Sequence, residues 1–205
     1  ITVLTYEDLK DEPLIEPDTI GLKGSPTNIA KSFTPPLKGE GVIIGVIDSG
    51  IDFNHINLCD ATGKSRVVAA YLPQDSTGLS PVINGDTLPG SHYVTPQEIA
   101  ALTTDDPTMS HGTHTTGIAA GSGYDSPYRG VAWESDICLV ANAVTADTAF
   151  INEADYYLYT TATDALGFKY LFDYADSQHK PCVVSFSEGY TPFMDDEDRL
   201  FSLFL

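Results

Sequence analysis

The chain has little cysteine, little positive charge and no long apolar run. Three cysteines (Cys59, Cys138, Cys182) in 205 residues are too few for a disulfide framework. Cys138 and Cys182 sit in apolar stretches, where a free Cys acts as a small hydrophobe; one disulfide stays open, without an assigned pair. Lys plus Arg number 10 against 29 Asp plus Glu, for a formal charge of −19. Such a surface repels phosphate backbones and anionic lipid, so nucleic acid is not an expected partner, and solubility in a salty extracellular setting is the simpler reading. No run reaches the roughly 18 apolar residues of a membrane-spanning helix, so no span is expected. Ile1-Thr2-Val3-Leu4 carries neither an initiator Met nor a signal-peptide pattern, and the chain reads as a processed or excised piece. What is present is ordinary globular material, 42% hydrophobic and 19% charged, long enough for one domain with a buried core.

Residues 1–40 are polar and dotted with Pro13, Pro17, Pro26, Pro35 and Pro36. They read as an N-terminal arm or prosegment remnant, with a short helix near 28–33, ahead of a domain spanning 41–205. The first strong element, 42–47 (VIIGVI), is an unbroken β-branched run, as expected for a parallel strand covered on both faces. Further strands are expected at 66–72, 136–142 and 181–187. Helices are expected at 96–102, 111–121 and 163–177, the last with Ala165, Phe168, Leu171, Phe172 and Ala175 on its buried face. Alternating strands and helices imply an α/β fold with right-handed crossovers. Residues 73–110, rich in Pro, Gly, Asp and Thr, read as a surface excursion, part of an insertion at about 60–109. The apolar stretch 200–205 has no cap or stop signal and looks like a cut.

Two places carry chemistry. Asp48 directly follows the first core strand, and the carboxyl ends of strands are where open α/β sheets build sites. A carboxylate there must be paired or hydrogen-bonded to remain ionised. Asp48-Ser49-Gly50 also resembles the aspartic-protease triplet, but that chemistry needs a second such Asp and an all-β fold. The second place is His111-Gly112-Thr113-His114. A zinc site using His111 and His114 is one reading, although metallohydrolase helices place ligands at i and i+4 with a Glu between. The small residues instead suit a helix start pressed against the sheet, with one His facing a cleft and His114 structural.

Four stretches, GVIIGVIDSGID (41–52), SHGTHTTGIAAG (110–121), GVAWESDICLVA (130–141) and VVSFSEG (183–189), occur in an order and spacing that resemble the subtilisin-like serine protease family. The resemblance covers roughly residues 40–190. It implies a three-layer fold, a mainly parallel sheet flanked by helices, here truncated on its C-terminal side. It further implies a serine endopeptidase in which Asp48 is the triad aspartate and His111 the general base, the Asp holding the His tautomer and stabilising the imidazolium. By the same resemblance Ser187, Glu188 and Gly189 bind extended polypeptide substrate by backbone pairing, and a Glu188 side chain turned into a subsite favours basic residues. No metal and no cofactor is assigned to the site. The family's structural calcium stays allowed, although no D-x-D-x-D-G loop is present. A secreted or cell-surface location follows from the resemblance alone.

The sequence departs from the family in several places. The gap from Asp48 to His111 exceeds that of compact members, with the surplus in 60–109. His55-Ile56-Asn57-Leu58 stands where H-P-D-L is common, and His55 receives no catalytic role. Trp133 replaces a usual Pro. The nucleophile's G-T-S motif is absent, and Ser49, Ser110, Ser122, Ser185 and Ser187 lack its glycine-rich strand-to-helix setting. The chain alone is therefore expected to be inactive, its partner being the missing C-terminal part of the domain, with self-association through an unpaired edge also expected. A non-catalytic peptide-binding pseudoprotease is the alternative.

Overall fold

The computed structural model describes residues 35–124, 129–142 and 161–187. The chain divides into two units, Ile1–Lys38 and Gly39–Leu205, and the architecture below is that of the second. The helix expected at 28–33 and the stretch 200–205 lie outside the described residues. In chain order the elements are β1 (Ile43–Asp48), a 3-10 turn (Ile56–Leu58), β2 (Val67–Leu72), β3 (Val82–Ile83), β4 (Asp86–Thr87), β5 (Ser91–Tyr93), α1 (Pro96–Ala101), α2 (His111–Ala120), β6 (Asp136–Ala141), α3 (Thr161–Ser177) and β7 (Cys182–Phe186). Five strands form one sheet in the order β5-β2-β6-β1-β7. β2, β6, β1 and β7 run parallel, and β5 lies antiparallel to β2 at the edge.

The unbroken apolar run of β1 is buried on both faces, and its alternation decides which core each residue joins. Ile44 and Val46 pack with Ile51, Phe53, Leu58, Ile99, Ala120 and Leu139. Ile43 and Ile47 pack on the other face with Tyr71, Cys138, Val140, Phe168 and Leu171. Gly45 shares the second face, where an added Cβ would lie 2.7 Å from Leu171 Cδ1; at Gly167 of α3 it would lie 3.1 Å from Ile47 Cδ1. A mid-helix glycine costs about 1 kcal/mol against alanine, and here that cost brings α3 close to the central strand. The period of two also assigns Asp48 to the face of Ile44 and Val46, the one on which Ala120 of α2 packs. β2 keeps its two faces in step with β6 through a bulge between Val67 and Ala69.

The stretch expected as a surface insertion supplies edge strand β5 and buries Ile83, Leu88, Ser91 and Ile99. Its β3–β4 hairpin turns at Asn84-Gly85, with φ of 54° and 90°, the two-residue turn that Asn-Gly favours. Lys169 of α3 ties this hairpin down, 2.9 Å from Asp86 and 2.7 Å from Asp173. α1 opens with a reciprocal capping box between Thr95 and Glu98. One expectation for α3 is corrected. Phe172 is 52% exposed, and Tyr170, wholly buried, takes its place in the core, because Tyr170 stacks on Tyr71 of β2 with centroids 4.4 Å apart.

Arg66, just before β2, bridges three chain segments. Its guanidinium donates to the carbonyl oxygens of Ser135 (3.0 Å), Asn57 (3.4 Å) and Ala120. The Ala120 carbonyl is one of the orphan acceptors at the end of α2. Nε of Arg66 is buried without a partner, and burial holds the guanidinium below its ordinary pKa. Cys59, Cys138 and Cys182 are all free thiols. No helix among the described residues is long and apolar enough to cross a membrane.

Candidate active site

The parallel strands β6, β1 and β7 end at one rim, with Ala141 opposite Asp48 and Phe186 opposite Ile47. Asn142, one step past β6, donates its N–H to the Asp48 carbonyl at 2.8 Å. Its side chain is pinned between Gln74 Nε2 (2.9 Å) and the buried Asp164 of α3. The rim beneath the site is thus tied to both neighbouring segments.

The Asp48 side chain is 4% exposed and the His111 side chain 50% exposed, with His111 Nδ1 2.7 Å from Asp48 Oδ1. The same Oδ1 accepts the Ser49 N–H at 2.8 Å, and Oδ2 accepts the Thr115 hydroxyl at 2.8 Å. His111 and Thr115 are four apart on α2, one turn of helix, so a single carboxylate spans both. With an anion on Nδ1, the neutral ring carries its proton there and presents Nε2 as the basic nitrogen.

The placement of α2 follows from its small residues. Gly112, Thr116 and Ala120 are its buried positions, a stripe at intervals of four. A Cβ on Gly112 would sit 2.5 Å from Ile51 Cγ1 and 2.8 Å from the Ser49 carbonyl oxygen. The first helical N–H groups have no partner within their helix, and the turn after β1 receives two of them. Gly112 donates to the Ser49 carbonyl at 2.7 Å and Thr113 to the Gly50 carbonyl at 3.1 Å. Thr113 Oγ1 adds a second bond to the Gly50 carbonyl (2.9 Å) and accepts the Asp52 N–H (2.8 Å). From the other side, Asp105 accepts the N–H groups of Gly50 (3.1 Å) and Ile51 (2.6 Å). Burial pushes the Asp105 carboxyl above the usual range, and these N–H bonds act against that rise. Gly50 has φ of 71°, and a Cβ there would meet the Met109 backbone at 2.8 Å.

An open cleft of about 490 Å³ is lined by Ser110, the residue before His111, and by Asp52, Asn54, His55, Asp106 and Met109; neither Asp48 nor His111 lines it. His55 accepts the Asn57 N–H at 3.2 Å, capping the 3-10 turn. His114 is exposed on α2. Among the described residues no three His, Cys, Asp or Glu side chains form a group able to hold a metal. Ser187 lies exposed just past β7, while Glu188 and Gly189 fall outside the described residues. Among the described residues His111 bonds to Asp48 and to no serine. Thr115 and Asp105 were missed by sequence reasoning. Thr115 carried a signal in its spacing of four from His111; Asp105 carried none, since it binds backbone some 54 residues away.

The sequence model of the subtilase family matches residues 39–190. The solved structure of the Clostridium perfringens CspB protease is similar, with a TM-score of 0.58 and 25% identity over 82% of this chain and 33% of that one. The chain therefore spans about a third of that protein's length. A separate local match, 77% identical over 44 residues, links it to the acryloyl-CoA reductase electron transfer subunit gamma of Anaerotignum propionicum, covering 22% of this chain and 16% of that protein. A match of that extent describes a shared segment and not a shared fold.

Proposed function

The chain belongs to the subtilase family, and from that footing we propose that it is the part of a serine endopeptidase that carries the general base and its orienting carboxylate. The observation that supports this most directly is the 2.7 Å contact of Asp48 with His111 Nδ1, beside a ring that is half exposed. In the proposed reaction Nε2 takes the proton of a serine hydroxyl as the oxygen attacks the peptide carbonyl. The same nitrogen then returns the proton to the leaving amine. Asp48 stays ionised throughout and stabilises the imidazolium, while Thr115 occupies its second oxygen.

The sequence holds no G-T-S motif, so the proposal assigns the nucleophile to polypeptide outside residues 1–205 and makes the chain alone inactive. Substrate is an extended polypeptide paired along Ser187, Glu188 and Gly189, with Glu188 favouring basic side chains. A secreted or cell-surface setting agrees with the acidic surface.

The test is labelling by a serine-directed fluorophosphonate of the polypeptide that joins this chain to the nucleophile segment. Labelling should disappear in His111→Ala, and Asp48→Asn should lower turnover by about 10⁴-fold. Residues 1–205 alone should not label. Undiminished labelling of the His111→Ala variant would remove the proposal.

A further inference from the structure

We propose that Asp105 is a positioning residue for the Asp48–His111 pair, acting through the turn that joins them. The proposal rests on the reading of that pair as base and orienter. The turn Ser49–Asp52 has no ladder or helix partner for its four N–H groups, and all four go to side chains. Ser49 donates to Asp48 itself, Gly50 and Ile51 donate to Asp105, and Asp52 donates to Thr113. Asp48 and Thr113 belong to the two elements being joined. Asp105, from the loop between α1 and α2, is the one side chain from outside both that accepts these N–H groups; the backbone of the same loop adds an antiparallel bridge from Thr104 to Asp52.

The carbonyls of the same turn receive the start of α2, at Ser49 and Gly50. Any rotation of the peptides flanking Gly50 therefore moves the acceptors on which the His111 helix is seated. Gly50 resists such rotation least, because glycine reaches both signs of φ without steric cost. The Asp105 carboxylate closes that freedom with two N–H bonds at consecutive residues. Its partial burial means that the anion has surrendered part of its hydration, so these bonds are what retain it. Asp106, the adjacent acid, serves a different purpose. Its Oδ1 accepts the N–H and hydroxyl of Thr108, both at 2.7 Å, within its own loop.

The test uses the full chain and the proton on His111 Nδ1, observed as a low-field resonance by NMR and assigned by its loss in His111→Gln. Asp105→Ala should remove the resonance or speed its exchange at least tenfold, with the far-ultraviolet circular dichroism of the wild type. Asp105→Asn, which keeps one acceptor oxygen, should fall between, and Asp106→Asn should match the wild type. A folded Asp105→Ala with an unchanged resonance overturns the proposal, as does an Asp106→Asn effect equal to it. Should Asp105→Ala fail to fold, Asp105→Asn decides by the same criterion. A wild-type chain without the resonance sinks the pair itself, and with it the proposed function, which separates the two failures.

Discussion

Replacing Gly112 by alanine sets two well-calibrated effects against each other. Alanine in place of a helical glycine ordinarily stabilises by at most about 1 kcal/mol. Here the new methyl would lie 2.5 Å from Ile51 Cγ1, 2.8 Å from the Ser49 carbonyl oxygen and 3.1 Å from Asp48 Cβ. The isoleucine can turn aside, but the backbone oxygen cannot move without the turn that carries it. Overpacking of this kind costs about 1–3 kcal/mol, so the net loss should be about 1 kcal/mol, or roughly 2–4 °C in the unfolding midpoint. The larger consequence is local. Relief of the clash needs a shift of about 0.5 Å in the start of α2, enough to stretch the 2.7 Å contact of His111 with Asp48 toward the limit of a hydrogen bond. A misplacement of about 1 Å can cost on the order of 10²-fold in turnover, so half that displacement should cost on the order of 10-fold. Gly117 is the internal control, since its added Cβ meets only Asn57 Nδ2, at 3.3 Å. Scanning calorimetry and the His111 Nδ1 proton resonance should be recorded for both variants. The reasoning fails if Gly112→Ala raises the midpoint as much as Gly117→Ala and leaves the resonance unmoved.

Three other perturbations have definite outcomes. Thr115→Val removes the donor to Asp48 Oδ2 and should cost about 1–3 kcal/mol by urea unfolding, while Thr115→Ser restores most of it. Arg66→Met leaves the carbonyls of Ala120 and Ser135 without their donor, while the Asn57 carbonyl keeps the N–H and hydroxyl of Ser122; about 3 kcal/mol and 6–12 °C should be lost, read by thermal unfolding. Burial holds the His92 imidazole below its ordinary pKa, against a weaker opposite pull from Glu98. The native state thus resists protonation more than the unfolded chain, so stability is full above about pH 6.5 and falls as the pH drops below it. His92→Gln should flatten that acid slope in urea midpoints, and an identical slope in both proteins would refute the assignment.

The main sheet and the Asp48–His111 pair were legible because each leaves a mark that side-chain identity alone produces. An unbroken β-branched run means a strand covered on both faces, and the parity of β1 then places its terminal aspartate beneath α2. Small residues every fourth position in α2 mark the close approach. Other features left no such mark. The β2 bulge exchanges one apolar residue for another, and β3 and β4 are two residues each, too short for a period, although Asn84-Gly85 marked their turn. On α3 the period identifies a buried stripe but not its width, and Tyr170 rather than Phe172 is buried because Tyr71 lies opposite. Asp105 was hidden for a deeper reason: its partners are backbone N–H groups, which every residue possesses, far away along the chain.

The Arg66 junction has a consequence for how this domain depends on its surroundings. Carbonyl oxygens gathered from three segments are the kind of nest that a dissolved cation can also fill, with an occupancy that rises and falls with its concentration. Here the charge is tethered to the chain, so its local concentration is set by covalent bonds. Dilution, chelators or competing ions have nothing to extract. The seam between the end of α2 and the approach to β6 should therefore hold equally well in a cation-poor medium and a cation-rich one.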